Sequence, residues 1–255
     1  MSKNDHKHTV TAGSVAPRPI LVRALRTLTG SIKRYPYLWA GCFFALYSFM
    51  FWFLENAYHP AEYHIIHTPI DDLIPVCEYF IVPYLIWFPY WILPIFWFAA
   101  KGLFRDKPWD FDHYVPFLAI GMSVFIIVSL VWPTGLNLRP DSIPQDNVFA
   151  VMLTQLWQTD SPDNVLPSVH VYNTVAAHCA LLKCQGIKDH KALRWMRPTS
   201  WVICFAIIVA TLFLRQHSII DVLTALALAY VAYGLVYRGW LMPWARRVGI
   251  ITSEQ

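Results

Sequence analysis

"PSVHVYNTVAAHCALL", residues 167–182, is the stretch on which the architecture turns. A helix needs about 20 mostly apolar residues to cross a bilayer. This stretch is shorter and carries Ser168, His170, Asn173, Thr174 and His178. Hydropathy alone leaves it marginal. Stronger apolar runs lie at residues 37–54, 80–100, 114–132 and 218–237, and another short one at 201–214. If residues 167–182 cross, they are the fourth of six spans.

Charge decides the count. Lys and Arg cluster before the first run, in the loops after the second and fourth, and in the tail. With six spans, 18 of the 20 basic residues fall on one side. With fewer, the alternation breaks. The positive-inside rule makes that side cytoplasmic, with both termini there. The opposite loops are acidic or neutral and hold only two basic residues, Arg139 and Arg215.

Composition agrees with a multi-pass membrane protein. The chain is 56% hydrophobic and 14% charged, against about 25% charged in soluble domains. Its net charge of +4 gives no support to nucleic-acid binding. Three segments are expected: a polar cytoplasmic lead, 1–35; an all-α membrane domain of six helices, 36–240; and a cytoplasmic tail, 241–255. No cleavable signal is evident, because the first apolar run follows a long polar lead. Pro83, Pro89 and Pro94 predict a bent second span packed on neighbours. The five cysteines, none in a CxxC, read as buried free thiols.

The polar residues near span ends suggest chemistry. Arg139, Ser168, His170, Arg215, His217 and Asp221 all fall on the non-cytoplasmic side of the expected topology. His217 and Asp221 are four apart, a spacing that shares a helix face. A carboxylate there fixes the tautomer of a histidine and stabilises its imidazolium. Pro167 suits the first position of the fourth span, leaving backbone N–H groups at a helix start, which attract anions. Ser168 adds a hydroxyl, and the two arginines add planar donors suited to phosphate.

Together these predict phosphoryl transfer with no metal or other cofactor. His217 attacks phosphorus, Asp221 supports it, and His170 protonates the leaving oxygen and then activates the acceptor. Arg139, Arg215, Ser168 and the helix start hold the equatorial oxygens.

Three motifs carry a family resemblance. "PSVH" (167–170) resembles the central motif of the type 2 phosphatidic acid phosphatase superfamily. "HSIID" (217–221) resembles the end of its third motif, and "LRP" (138–140) the end of its first. "PIDDLIP", "EYFIVPYLIW" and "TDSPDNVLPSVHVYN" are similar to a bacterial branch related to inositol phosphorylceramide synthases. The likeness covers roughly residues 65–237. It implies an integral membrane lipid phosphatase acting through a phosphohistidine at the extracytoplasmic face of the plasma membrane. Its substrate would be a phospholipid or polyprenyl phosphate. The alternative acceptor is an alcohol, as in inositol phosphorylceramide or sphingomyelin synthases. Asp71 and Asp72 resemble a family feature that lines the mouth of the site, and Asp72 is taken as a substrate contact.

Two departures stand out. Trp132 occupies the first motif's lysine position, and Ala210 and Thr211 occupy the third motif's Ser-Arg. Arg215 stands nearest the vacated arginine.

Other readings attach to single residues. His178 reads as a hydrogen-bonded interior group, and Asn173 and Thr174 as interhelical contacts. His59, His64 and His67 read as an interfacial loop, with zinc ligation the rival. A haem carrier and a non-catalytic scaffold are the readings from other classes. The sequence leaves the oligomeric state and the lipid open.

Overall fold

The computed structural model describes residues 20–104 and 109–247. Residues 1–19, including much of the expected polar lead, lie outside the described residues, as do 248–255 of the tail.

Contacts divide the chain into two units, Pro36–Trp240 and a second made of the two flanks. In the flanking unit, α1 (Ile20–Arg34) is amphipathic and ends on Lys33 and Arg34, which complement the helix dipole. The short α11 (Met242–Arg247) belongs to the same unit.

The larger unit is built from α2 (Pro36–Asn56), α3 (Pro69–Leu73), α4 (Ile81–Phe104), α5 (Trp109–Val131), α6 (Val148–Thr159), α7 (Val169–Lys183), α8 (Gln185–Asp189), α9 (Met196–Phe213) and α10 (Ile219–Val236). Among the described residues, five helices are long and apolar enough to cross a membrane: Pro36–Asn56, Glu78–Gly102, Trp109–Val131, Lys191–Phe213 and Ile219–Val236. The short 201–214 run is thus the end of a 23-residue helical stretch.

Residues 167–182 are not among the five. They form α7, which has 15 residues and packs against α4, α5, α9 and α10. Most of its side chains are buried. Its polar composition follows from that position: it meets protein on every side, so it needs no lipid-compatible surface. Gly121 of α5 permits one of these contacts. A Cβ there would fall 2.1 Å from the Tyr172 ring. The Tyr172 hydroxyl donates to the Phe117 carbonyl at 2.7 Å.

The second apolar run stays helical through Pro89 and Pro94. The Tyr114 hydroxyl donates to the Trp91 carbonyl near the Pro94 gap, at 2.7 Å. Of the five unpaired cysteines only Cys184 and Cys204 are buried, and Cys42 is exposed on α2.

The loops between the ends of α2, α5 and α9 and the starts of α4, α7 and α10 converge. A two-residue strand β1 (His64–Ile65) pairs in parallel with β2 (Thr134–Gly135). Gly135 also bridges to Asp163. The long connection after α5, expected as loop, contains α6, capped by Asn147 accepting from Phe149 and Ala150 N–H. These loops form a platform over one end of the bundle, and it carries the candidate site.

Candidate active site

His217 is held from both sides by backbone motifs. α9 ends in a Schellman motif, in which Gln216 N–H donates to the Thr211 carbonyl and Arg215 N–H to Leu212. The left-handed position falls on Arg215, at φ 54°. A non-glycine residue there costs of order 1 kcal/mol. Immediately after His217, Ser218 caps α10 in a capping box with Asp221: Ser218 N–H donates to Asp221 Oδ2 at 2.8 Å. His217 therefore precedes the helix rather than lying in it. Its relation to Asp221 comes from the cap turn, not from a shared helix face as the spacing predicts. His217 Nδ1 stands 3.5 Å from Asp221 Oδ2. Asp221 is buried and its Oδ1 is unpartnered.

His170 comes from the first turn of α7. Ser168 is the N-cap, its hydroxyl accepting from Val171 N–H at 3.2 Å. The helix begins at Val169. Pro167 thus lies one residue before the cap, not at the first helical position. Two side chains of α4 fix His170: the Tyr84 hydroxyl lies 2.9 Å from its Nε2, and Trp87 Nε1 donates to its carbonyl at 3.0 Å. The remaining ring nitrogen, Nδ1, meets His217 Nε2 at 3.2 Å. The two histidines come from different helix ends, 47 residues apart in sequence, and touch at a single point.

Both rings line a cavity of about 480 Å³. Part of the lining is aromatic and apolar, including Phe51, Phe88, Trp91 and Phe125. The rest is largely polar, including Glu55, Asp160, Asp163, Asn164, Asn173 and Gln216. Burial raises the Asp160 and Asp163 carboxyls above their ordinary range, and Arg139 opposes that rise.

Several expected substrate contacts face elsewhere. Arg139 donates to the Trp157 and Asp160 carbonyls at 3.1 and 2.7 Å, and to Gln216 Oε1 at 3.0 Å. Arg215 donates to the carbonyls of Asp71 (2.6 Å) and Ile74. Its guanidinium ties the α9–α10 turn to α3 and is not part of the cavity wall. Ser168 is fully buried and spent on its cap. Asp72 is exposed and pairs with His67 at 2.8 Å, outside the cavity.

Asp71 does a different job from its neighbour. It is buried and caps α3 through Thr68. It also accepts from the Ser218 hydroxyl at 2.7 Å and from Ile219 N–H at 2.9 Å. Burial works to raise this carboxyl, but these bonds together carry it below its ordinary value.

Sequence reasoning missed the supporting residues. Tyr84 and Trp87 lie in an aromatic-rich apolar run, with no motif to single them out. Asn173 makes no interhelical bond: both amide atoms are buried, unpartnered and beside the cavity. Thr174 bonds back to the His170 carbonyl within its own helix, at 2.6 Å. His178 does bond inside the bundle, to Ser200 Oγ at 2.8 Å. In the loop histidines, the His64 ring packs on Trp132.

A family model for the PAP2 superfamily matches residues 113–244, slightly more than half of the chain. The chain belongs to the PAP2 superfamily. No curated protein matches it, and no solved structure does. Membership and the five apolar helices together indicate a membrane enzyme of the phosphatase or phosphotransferase type.

Proposed function

We propose that the protein breaks a phosphorus–oxygen bond in a lipid headgroup through a phosphohistidine on His217. The observation that carries this reading is the 3.2 Å contact of His170 Nδ1 with His217 Nε2 at the cavity wall, with Asp221 behind. His217 Nε2 attacks phosphorus; the N–P bond forms and the bond to the leaving oxygen breaks. His170 Nδ1 gives that oxygen a proton. The acceptor then loses its proton to His170 and attacks phosphorus, and the N–P bond breaks. Asp221 holds the His217 ring and stabilises its cation. The two rings must part to admit a phosphoryl group, so substrate replaces their direct contact.

Water is the acceptor in the first reading, as in a phosphatase. One observation favours an alcohol acceptor and a diester donor. Among the described residues, the cavity wall holds neither Lys nor Arg, and the unpartnered N–H groups of Asn164, Asn173 and Gln216 are neutral amides. Neutral donors suit a monoanionic diester better than a dianionic monoester.

The six-span topology supports an outward-facing site. We read α7, wrapped by α4, α5, α9 and α10, as a sixth crossing shielded from lipid by protein. The platform loops hold only Arg139 and Arg215 of the basic residues, so the positive-inside rule puts this end and the site outside, with both termini cytoplasmic. The plasma membrane is the expected location.

Product analysis on purified protein tests the chemistry. Free phosphate identifies hydrolysis, and a new phosphodiester identifies transfer. An acid-labile phosphoenzyme should form in the wild type and vanish in His217→Ala. Turnover that survives in His217→Ala refutes the reading.

A further inference from the structure

The cavity lining holds carboxyl groups that the chemistry above does not use. They are Glu55, Asp160 and Asp163, from the end of α2, the end of α6 and the loop before α7. Arg139, behind the wall, is the cation that acts on all three. Three carboxyls thus face one guanidinium; burial raises those of Asp160 and Asp163, and a bound cation would favour the ionised form. Of the Glu55 oxygens, Oε2 accepts from the Ser161 hydroxyl at 3.0 Å. Tyr47 and Phe51 stand beside Glu55 in the same wall, and a second hollow of about 470 Å³ shares these three residues and Asp160.

The buried amides are an independent observation. Asn164 and Asn173 are 4% and 0% exposed, and no side-chain amide atom of either has a partner. Gln216, 3% exposed, has a free Nε2. All three line the cavity. Buried polar atoms are nearly always satisfied, so these mark where a ligand's polar atoms belong.

The two sets ask for different parts of one molecule. Neutral N–H donors suit the oxygens of a singly charged phosphate. Carboxylates beside aromatic faces suit an ammonium group. A dianionic phosphomonoester would be repelled by the same carboxylates. Resting on the phosphoryl-transfer reading, we infer that the donor is a zwitterionic phosphodiester lipid, its ammonium headgroup seated between Glu55, Asp160 and Asp163 and its phosphate beside His170 and His217.

Three lipids with matched chains test this on the purified full-length protein: a phosphomonoester, a diester with a neutral polyol headgroup, and a diester with a quaternary ammonium headgroup. The ammonium lipid should be turned over with a kcat/KM at least about tenfold above the others, equivalent to about 1.4 kcal/mol. Glu55→Gln, and independently Asp163→Asn, should collapse that ratio. Equal turnover, or preference for the polyol or monoester lipid, overturns the ammonium subsite and leaves phosphoryl transfer standing.

Binding decides if no lipid is turned over. Tryptophan fluorescence of His217→Ala, with Trp87 and Trp91 in the wall, is titrated with a short-chain ammonium phosphodiester. Saturable quenching, weakened about tenfold by adding Glu55→Gln, keeps the subsite while the phosphoryl-transfer reading falls. Quenching equal to that by the polyol ester removes the subsite.

Discussion

Arg215 and His217 stand two residues apart, yet they serve opposite ends of the same problem. His217 turns toward the cavity and meets His170 at its wall. Arg215 turns away and clamps the carbonyls of Asp71 and Ile74. The same division runs through the aspartates. Asp221 stands behind His217, whereas Asp71 joins Thr68 to the start of α10. Polar residues clustered at one end of a membrane bundle thus fall into a set that lines or backs the cavity, to which we assign the reaction, and a set bonded to the surrounding backbone. Motif position does not separate them; hydrogen-bond partners do.

Five substitutions break or sharpen that contrast. The largest effect belongs to the reacting set. His217→Ala should abolish turnover, and His170→Ala should lower kcat by about 10²–10⁴-fold, the range for a lost general acid–base. Both should leave the thermal midpoint near that of the wild type. If either variant instead unfolds the protein and the folded fraction keeps its rate, the histidines belong to the scaffold.

Arg215→Ala should do the reverse. Losing two hydrogen bonds from a charged donor should cost about 3 kcal/mol of stability, read as a lower thermal midpoint in detergent. A raised KM with an unchanged midpoint would return Arg215 to the substrate side.

Asp71→Asn follows, at about 2 kcal/mol for weakened bonds to a buried carboxylate. It also carries a pH signature. The folded-state pKa lies below the ordinary value, so the contribution is full above the unfolded-state pKa and is lost as pH falls through the folded one. Wild type should therefore lose stability on acidification over that window, and Asp71→Asn should lose less. Parallel acid profiles for the two proteins would refute the staple. Asp72→Ala should have the smallest effect, within about 0.5 kcal/mol, because its partner His67 is exposed. A marked loss of activity there would bring Asp72 back into the site.

Much of this was legible in the chain. His170, His217 and Asp221 were picked out by type and spacing, and the structure brings all three together. The geometric reason was legible only in part. The His217–Asp221 approach arises from a Schellman motif meeting a capping box, and that requires knowing where α9 stops and α10 begins. Arg139 and Arg215 read as phosphate donors in the sequence because arginine suits phosphate. Nothing in the sequence reveals that nearby backbone carbonyls claim them first. Glu55 illustrates the opposite case. It reads as an ordinary residue at the end of a span, and its place beside Asp160 and Asp163 depends on α2 and α6 ending at the same wall.

The sequence by itself determined a helical membrane protein, the apolar length of its spans and the residue types able to handle phosphate. Those follow from hydropathy, charge bias and side-chain chemistry, all of them local. Only the tertiary structure decided that α7 is wrapped by protein, that two imidazoles meet across 47 residues of chain, and that the arginines face inward to the backbone. Those outcomes depend on which polar group reaches which partner first in a crowded, water-poor interior, and that competition is settled by packing rather than by sequence order.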